Sequence, residues 1–291
     1  MPAEQLPRPW ARSEPLAGDA SSRRYARVWD GAGRCAILVS YPEAIRAQLA
    51  RDLAARSWCA DHGLRVPALV DCDPVFGWAV VEDLGETDAA ALLAITGVED
   101  RAELAAQALA PLEVLAAIPV ADLPAWNPPL DAGRLRWELA GFELWFLRHH
   151  LGRRPEPVIS AWLDALAAAV GGHPRRVCHR DYHLNNLFVL PTREVALIDF
   201  QDILLGPDTS DVVYLLHERA MPSLIGDEER RALAHRWAAR TAAAPGWELR
   251  WRQVRVQRGL KVLGAFARLL AAGRGGYGSW LESLGRELVG A

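Results

Sequence analysis

The hydrophobic period of this chain changes once, near residue 85, and any fold must accommodate both halves. Before the change, "RRYARVWD" (23–30) alternates apolar and polar residues, "GAG" turns, and "CAILVSY" (35–41) returns. That pattern predicts a hairpin, because successive side chains on a strand point to opposite faces. Pro42 opens a predicted helix to about His62, with Ala, Leu and Trp at helical spacing, and Gly63 ends it. "PALVDCD" and "WAVVEDL" flank "PVFG" as a second pair of strands. From Thr87 onward the period is helical: "DAAALLAI", "RAELAAQALAPLEVLAAI", "GRLRWELAGFELWFLRHHL" and "PVISAWLDALAAAV" read as helices separated by Pro and Gly. The stretch from Pro119 to Pro129 is a surface connection. The expectation is an α+β chain with a β-rich part over 1–84 and a helical part over 85–291.

One polar stretch interrupts the helices. "HRDYHLNN" (179–186) leads into the apolar strand "NLFVL", the turn "PTRE" and the strand "VALIDF". Asn186 follows Asp181 by five residues, and Asp199 follows Asn186 by thirteen. A carboxylate, an amide oxygen and a second carboxylate at the ends of one hairpin suit phosphoryl transfer, which needs positioning and charge neutralisation more than covalent chemistry. Asn186 and Asp199 offer the few hard oxygen ligands that Mg²⁺ takes, and Asp181 suits the base that orients an attacking hydroxyl. An Asx-rich turn before a hairpin, and a zinc or iron site built from His179, Asp181 and His183, are the competing readings. The second leaves Asn186 and Asp199 without a role.

Composition narrows the partners. The net charge is −3, which argues against a broad nucleic-acid or anionic-membrane surface. No apolar run is long enough to span a bilayer. Cys35, Cys59, Cys72 and Cys178 form no metal or redox spacing and, with no signal peptide ahead of them, point to a reducing cytoplasm. Of the 33 basic residues, Lys261 is the only lysine. It lies on a late amphipathic helix and is expected to extend along the surface with its charge in water.

The order H-x-D-x-x-x-x-N, strand, I-D-F resembles the catalytic loop and metal motif of protein-kinase-like enzymes, nearest the aminoglycoside and choline phosphotransferase branch. Together, "GDASSRRYARV", "VVEDLG", "HRDYHLNNL", "LIDFQDILLGPDTSDVVYLL" and a lysine-free third strand resemble bacterial anomeric kinases of N-acetylmuramate and N-acetylglucosamine in the aminoglycoside-phosphotransferase superfamily. The resemblance runs from about Leu16 through Leu216. It implies a bilobal protein-kinase-like fold with a small β-rich N-lobe that binds nucleotide and a larger, mostly helical C-lobe with the catalytic loop and acceptor site. ATP is expected between the lobes, its adenine against the backbone of Glu82, Asp83 and Leu84, with Mg²⁺ on Asn186 and Asp199. Ser21, Ser22, Arg23 and Arg24 occupy the place of the phosphate-covering loop, with Arg24 or Arg27 standing in for the absent lysine.

On the same resemblance, Asp181 is the base, His179 orients the loop, and Asp211 supports it from beneath by hydrogen bonds. Arg180, His183, Gln201 and Asp202 are candidates for the acceptor, with Glu138 and Glu143 as possible walls of its pocket. Glu43 and Asp52 read as solvated helix charges, and Asn185 is expected to face solvent. The implied reaction is ATP-dependent phosphorylation of the C1 hydroxyl of a free amino sugar. The sugar 1-phosphate would pass to a uridylyltransferase in cell-wall recycling. A phosphotransferase acting on choline, an aminoglycoside or another small alcohol or amine is the alternative, as is a non-catalytic nucleotide binder.

Overall fold

The structure, a computed structural model, describes residue 7 and residues 9–16, 22–217, 220–278, 281–282 and 284–285. In chain order the first elements are β1 (Trp10–Leu16), β2 (Arg24–Asp30), β3 (Cys35–Ser40), α1 (Gln48–Asp61), β4 (Leu69–Asp73), β5 (Trp78–Glu82) and α2 (Ala89–Ile95). Then come α3 (Val98–Gln107), α4 (Ala110–Ala117), α5 (Ala132–Gly141), a π-helical segment (Phe142–His150) and α6 (Pro157–Gly171). β6 (Arg175–Cys178), β7 (Leu187–Val189), β8 (Val195–Leu197) and β9 (Leu204–Pro207) follow. The chain continues through α7 (Ser210–His217), α8 (Met221–Leu224), α9 (Asp227–Arg240) and α10 (Trp247–Ala271). It divides into two compact units: 1–91 with 185–201, and 92–184 with 202–291. Among the described residues no helix is long and apolar enough to cross a membrane.

The first unit is built on a five-stranded antiparallel sheet in the order β1-β2-β3-β5-β4. Its strand alternation is two-sided. Ala36 and Leu38 of β3 join Trp10, Val28 and Val80 in one core cluster, whereas Val39 and Ala79 turn to the other face with Tyr41 and Leu49 of α1. Burial on both faces is why "CAILVS" and "WAVVE" read as nearly continuous apolar runs. The periodicity gave four of these strands; β1 is the fifth. The helix expected from Pro42 starts later, because Glu43–Ile45 form a single 3-10 turn before α1 begins at Gln48. The β7–β8 hairpin belongs to this unit, tied by the Leu197 N–H donating to Arg65 O at 2.7 Å.

The second unit is helical, with α10 packed on α5, α6, α7 and the π-helical segment. Two expected helices break. The stretch 101–118 splits into α3 and α4, and the α-helical ladder of 133–151 gives way to π geometry at Phe142. That change falls where α10 comes closest. A Cβ added to Gly264 would sit 2.5 Å from the Gly141 carbonyl carbon and from the Phe142 nitrogen. Only glycine permits that backbone-to-backbone approach, and it fixes the register of α10 on α5. A second departure is β9, a strand that stands after "VALIDF", where the sequence predicts that helices resume. β9 pairs antiparallel with β6, setting Cys178 opposite Leu204 and Arg175 opposite Pro207.

This packing gives an asymmetric test. Gly141 has open space where its own Cβ would point, and its φ is −61°. Gly264→Ala should therefore destabilise the protein by about 2–3 kcal/mol, as overpacking against backbone does. Gly141→Ala should be neutral or gain up to ~0.5 kcal/mol of helix propensity. Thermal melts of the two variants check this; equal melting temperatures would remove Gly264 as the register pin.

Candidate active site

The polar loop that interrupts the helices is held from below by one carboxylate. β6 ends at Cys178, opposite Leu204 where β9 begins, and β9 leads through Pro207 into α7. Asp211, in the first turn of α7, accepts the His179 N–H at 2.6 Å and the Arg180 N–H at 3.0 Å. Burial pushes the Asp211 carboxyl above its usual range, while His179 and the two N–H bonds pull the other way. His179 is fully buried, with its ring edge-on to Tyr182 at 5.7 Å. Tyr182 in turn donates its hydroxyl to Ala108 O at 2.7 Å. Arg180 then adopts φ 79°, a left-handed conformation that a non-glycine residue keeps only where its surroundings enforce it.

Asp181 follows that turn with 37% of its side chain exposed. Arg258 of α10 points Nη2 at Asp181 Oδ1 over 3.5 Å, its guanidinium stacked 3.9 Å above the Tyr214 ring. Burial would raise the Asp181 carboxyl, but Arg258, Lys261, His179 and Arg180 outweigh it and hold it below the ordinary carboxylate range. Asp181 is therefore ionised at neutral pH and suited to accept a hydroxyl hydrogen.

Glu138 of α5 is buried one step away. It accepts Lys261 Nζ at 3.0 Å and Arg180 Nη2 at 3.4 Å on Oε1, and Gln257 Nε2 at 3.3 Å on Oε2. Despite burial, Lys261, Arg258 and Arg180 keep its carboxyl below the usual range. Lys261 is thus not the solvated surface charge that its helix suggested. It is 24% exposed and ion-paired, and burial with Arg258 nearby lowers its own pKa against the pull of Glu138. Sequence reasoning missed Gln257, Arg258 and Lys261. The available signal was the single lysine of an arginine-rich chain, three residues from an arginine and three from Gly264 on one helix face. His183 is buried, and its N–H donates to Asp181 O at 3.1 Å. Asp202 is half-buried after a 3-10 turn, and Glu143 pairs with Arg136 at 2.8 Å.

The other candidates fall in the first unit. The β7–β8 register places Leu187 opposite Leu197, and the Ile198 N–H donates to Asn186 O at 3.0 Å, one residue before Asp199. Asp199 has φ 62°, again a left-handed conformation for a non-glycine residue. Its Oδ1 accepts Gln201 Nε2 at 2.7 Å and Arg23 Nη2 at 3.4 Å. Arg23 also pairs with Asp52 at 3.0 Å, and Asp52 accepts the Tyr41 hydroxyl at 2.8 Å. Asp52 is accordingly not a solvated helix charge: burial pushes its carboxyl up, with Tyr41 and Arg23 opposing. Gln201 lies beside the metal-type aspartate, and its carbonyl accepts Arg51 Nη2 at 2.8 Å.

The phosphate-side arginines also separate. Arg24 is exposed at the start of β2, and Arg27 is committed to Asp83 and Glu86, each at 2.5 Å. Arg23 is the guanidinium that reaches the Asp199 carboxylate. Ser22 is exposed, and Ser21 lies outside the described residues. At the hinge, the Glu82 N–H donates to Ala68 O at 2.8 Å and its carboxylate pairs with Arg65. Asp83 accepts the Gly85 N–H at 2.9 Å, and Leu84 is half-buried. Asn185 does not simply face solvent: it donates to Asp88 at 3.0 Å.

The donor set suits magnesium. Asp199 is a hard carboxylate ligand whose Oδ1 accepts a guanidinium and an amide donor, and Asn186, whose backbone carbonyl accepts the Ile198 N–H beside it, offers an amide oxygen. Among the described residues no three His, Cys, Asp or Glu side chains cluster as metal ligands, so His179, Asp181 and His183 do not form the transition-metal site.

Comparisons with known proteins show the family and the fold. A family model described as a phosphotransferase enzyme family matches residues 12–251. An N-acetylmuramate/N-acetylglucosamine kinase of Pseudomonas aeruginosa is 32% identical over 272 residues, covering 90% of this chain and 78% of that protein. Among solved structures, a choline kinase from Streptococcus pneumoniae has a TM-score of 0.63 at 14% identity, covering 97% of this chain and 94% of that one. An aminoglycoside phosphotransferase from Streptomyces rimosus, in complex with ADP and streptomycin, has a TM-score of 0.59 at 18% identity, covering 89% and 95%. The fold is the α+β fold of protein-kinase-like phosphotransferases.

Two measurements address the nucleotide half. Arg23→Ala should raise the KM for ATP ~10-fold or more, the scale of one lost charge-assisted contact, with a clearly smaller effect for Arg24→Ala. A larger loss from Arg24→Ala would reverse the assignment. Asp199→Ala should abolish the Mg²⁺-dependent tightening of ATP binding seen by calorimetry, and Asn186→Ala should weaken it less, because an amide supplies a dipole and not a full charge.

Proposed function

The chain belongs to the phosphotransferase enzyme family, and we propose that its acceptor is the anomeric C1 hydroxyl of N-acetylmuramate and/or N-acetylglucosamine. It is an ATP-dependent phosphotransferase. The observation that carries the reading is Asp181, ionised on a strained loop and edged by Arg180, Arg258 and Lys261. A neutral or acidic sugar suits that setting. Choline and aminoglycosides are cations, and a cationic acceptor would approach a base whose neighbours are already three cations.

In this mechanism Asp181 accepts the hydrogen of the C1 hydroxyl and aims its oxygen at the γ-phosphorus. A hemiacetal hydroxyl is more acidic than an ordinary alcohol, so a carboxylate of low pKa is an adequate base and its main work is orientation. Arg258 and the strained Arg180 turn fix its rotamer. Asn186 and Asp199 would hold Mg²⁺, which would supply positive charge to offset that of the phosphates. Arg23, braced by Asp52, supplies the planar cationic fork for phosphate that other kinases take from a lysine, and the backbone of Glu82 to Leu84 faces the adenine. Ser22 with Ser21, and Arg24, cover the phosphates, while Gln201, His183 and Asp202 line the acceptor side. The product, a sugar 1-phosphate, would serve a uridylyltransferase in cell-wall recycling, in the cytoplasm. The β-rich part to residue 84 carries nucleotide contacts, and 85–291 carries the base and acceptor contacts.

Asp181→Asn should lower turnover by at least ~10³-fold, since both proton acceptance and orientation are lost, while ATP still binds. An ATP-consumption screen with N-acetylmuramate, N-acetylglucosamine, choline and kanamycin tests the acceptor. The product should be an acid-labile glycosyl phosphate by ³¹P NMR. Turnover confined to the cationic acceptors, or an acid-stable phosphomonoester, would sink the proposal.

A further inference from the structure

Lys261 is one lysine among 33 basic residues, and it sits within the charge cluster around the base. Everywhere else in this chain arginine supplies the positive charge. The position calls for what arginine lacks: a compact, flexible ammonium with three donors that can trade one carboxylate for another. Its present partner is suited to such an exchange. Glu138 Oε1 also accepts Arg180 Nη2 at 3.4 Å, and Oε2 accepts Gln257 Nε2 at 3.3 Å. Glu138 therefore stays partnered when Lys261 turns away, and no buried carboxylate is stranded.

The sharing of Glu138 points to what Lys261 meets. Lys261 Nζ at 3.0 Å and Arg180 Nη2 at 3.4 Å both lie on Glu138 Oε1, whereas Arg258 faces Asp181. A hydroxyl acceptor alone leaves both cations on that one oxygen, whereas an acceptor with its own carboxylate offers the ammonium a second partner. The register is also fixed: the Gly264 contact with Gly141 holds α10 one turn along, and Glu138 lies three residues before Gly141 on α5. The backbone of Lys261 is thus positioned by packing, and its ammonium sits beside Glu138.

We propose that Lys261 is a specificity-determining residue that binds the carboxylate of an acidic amino sugar and so separates it from the neutral one. This rests on the sugar-kinase reading above and deepens it. The test is steady-state kinetics of the wild type and Lys261→Met with N-acetylmuramate, its carboxamide and N-acetylglucosamine. The wild type should favour the acid over the carboxamide by ~10–100-fold in kcat/KM, mainly through KM, as expected for one charge-assisted contact. Lys261→Met should collapse that ratio to near one, and Lys261→Arg should retain part of it. A wild-type ratio of one overturns the proposal without any variant, and so does a ratio that persists in Lys261→Met. If Lys261→Met no longer binds ATP, Lys261→Gln, which keeps the length and a donor toward Glu138, takes its place. The two levels fail differently. If the wild type phosphorylates none of the three sugars, the sugar-kinase reading falls and this proposal with it. If it phosphorylates all three without regard to the carboxylate, only the role of Lys261 falls.

Discussion

Asp211 accepting the backbone N–H groups of His179 and Arg180 is the interaction on which the catalytic loop depends. Two adjacent N–H groups at a buried turn have no ladder to join, and leaving them unpaired costs about 1–3 kcal/mol each. A carboxylate satisfies both with charge-assisted bonds, and they in turn offset its own burial. The β6–β9 pairing makes this possible by delivering the loop and α7 from neighbouring strands. With the backbone held there, Arg180 is locked at φ 79° and Asp181 emerges in one orientation.

A second carboxylate–cation pairing organises the nucleotide half in the same way. Asp52 on α1 holds Arg23 at 3.0 Å, and Arg23 reaches Asp199 at the end of the β7–β8 hairpin. Strand, helix and hairpin of the first unit thus meet at one guanidinium. β3 carries no lysine; the guanidinium that reaches Asp199 comes from Arg23, just before β2, and the carboxylate that steadies it comes from Asp52 on α1. Asp199 repeats the left-handed backbone of Arg180, so both key carboxylates are aimed by residues in sparsely populated conformations.

Electrostatics divides the labour. Around Asp199 a guanidinium and an amide donor gather on a carboxylate that is 38% exposed. Around Asp181, Arg258 and Lys261 of a packed helix and Arg180 of the loop hold the carboxyl below its ordinary range. Gly264 is the silent member of that second set. It touches no substrate, but without its close approach to Gly141 neither Arg258 nor Lys261 would stand where they do.

The sequence by itself determined the α+β class and the strand pairs of the first unit, and its spacing singled out Asp181, Asn186 and Asp199 as candidates. These depend on local periodicity and on spacing within one hairpin, which a linear reading preserves. It also carried the family, because the motifs stand in order along the chain. Tertiary structure alone decided which charges matter. Asp52 and Lys261 read as ordinary helix-surface charges and Arg258 drew no reading, because their partners lie 29, 123 and 77 residues away in sequence. Helical periodicity shows that a residue shares a face with its neighbours but not what packs against that face. The same holds for Arg23 over Arg24, adjacent residues on one strand edge that only folding separates into a buried ion pair and an exposed side chain.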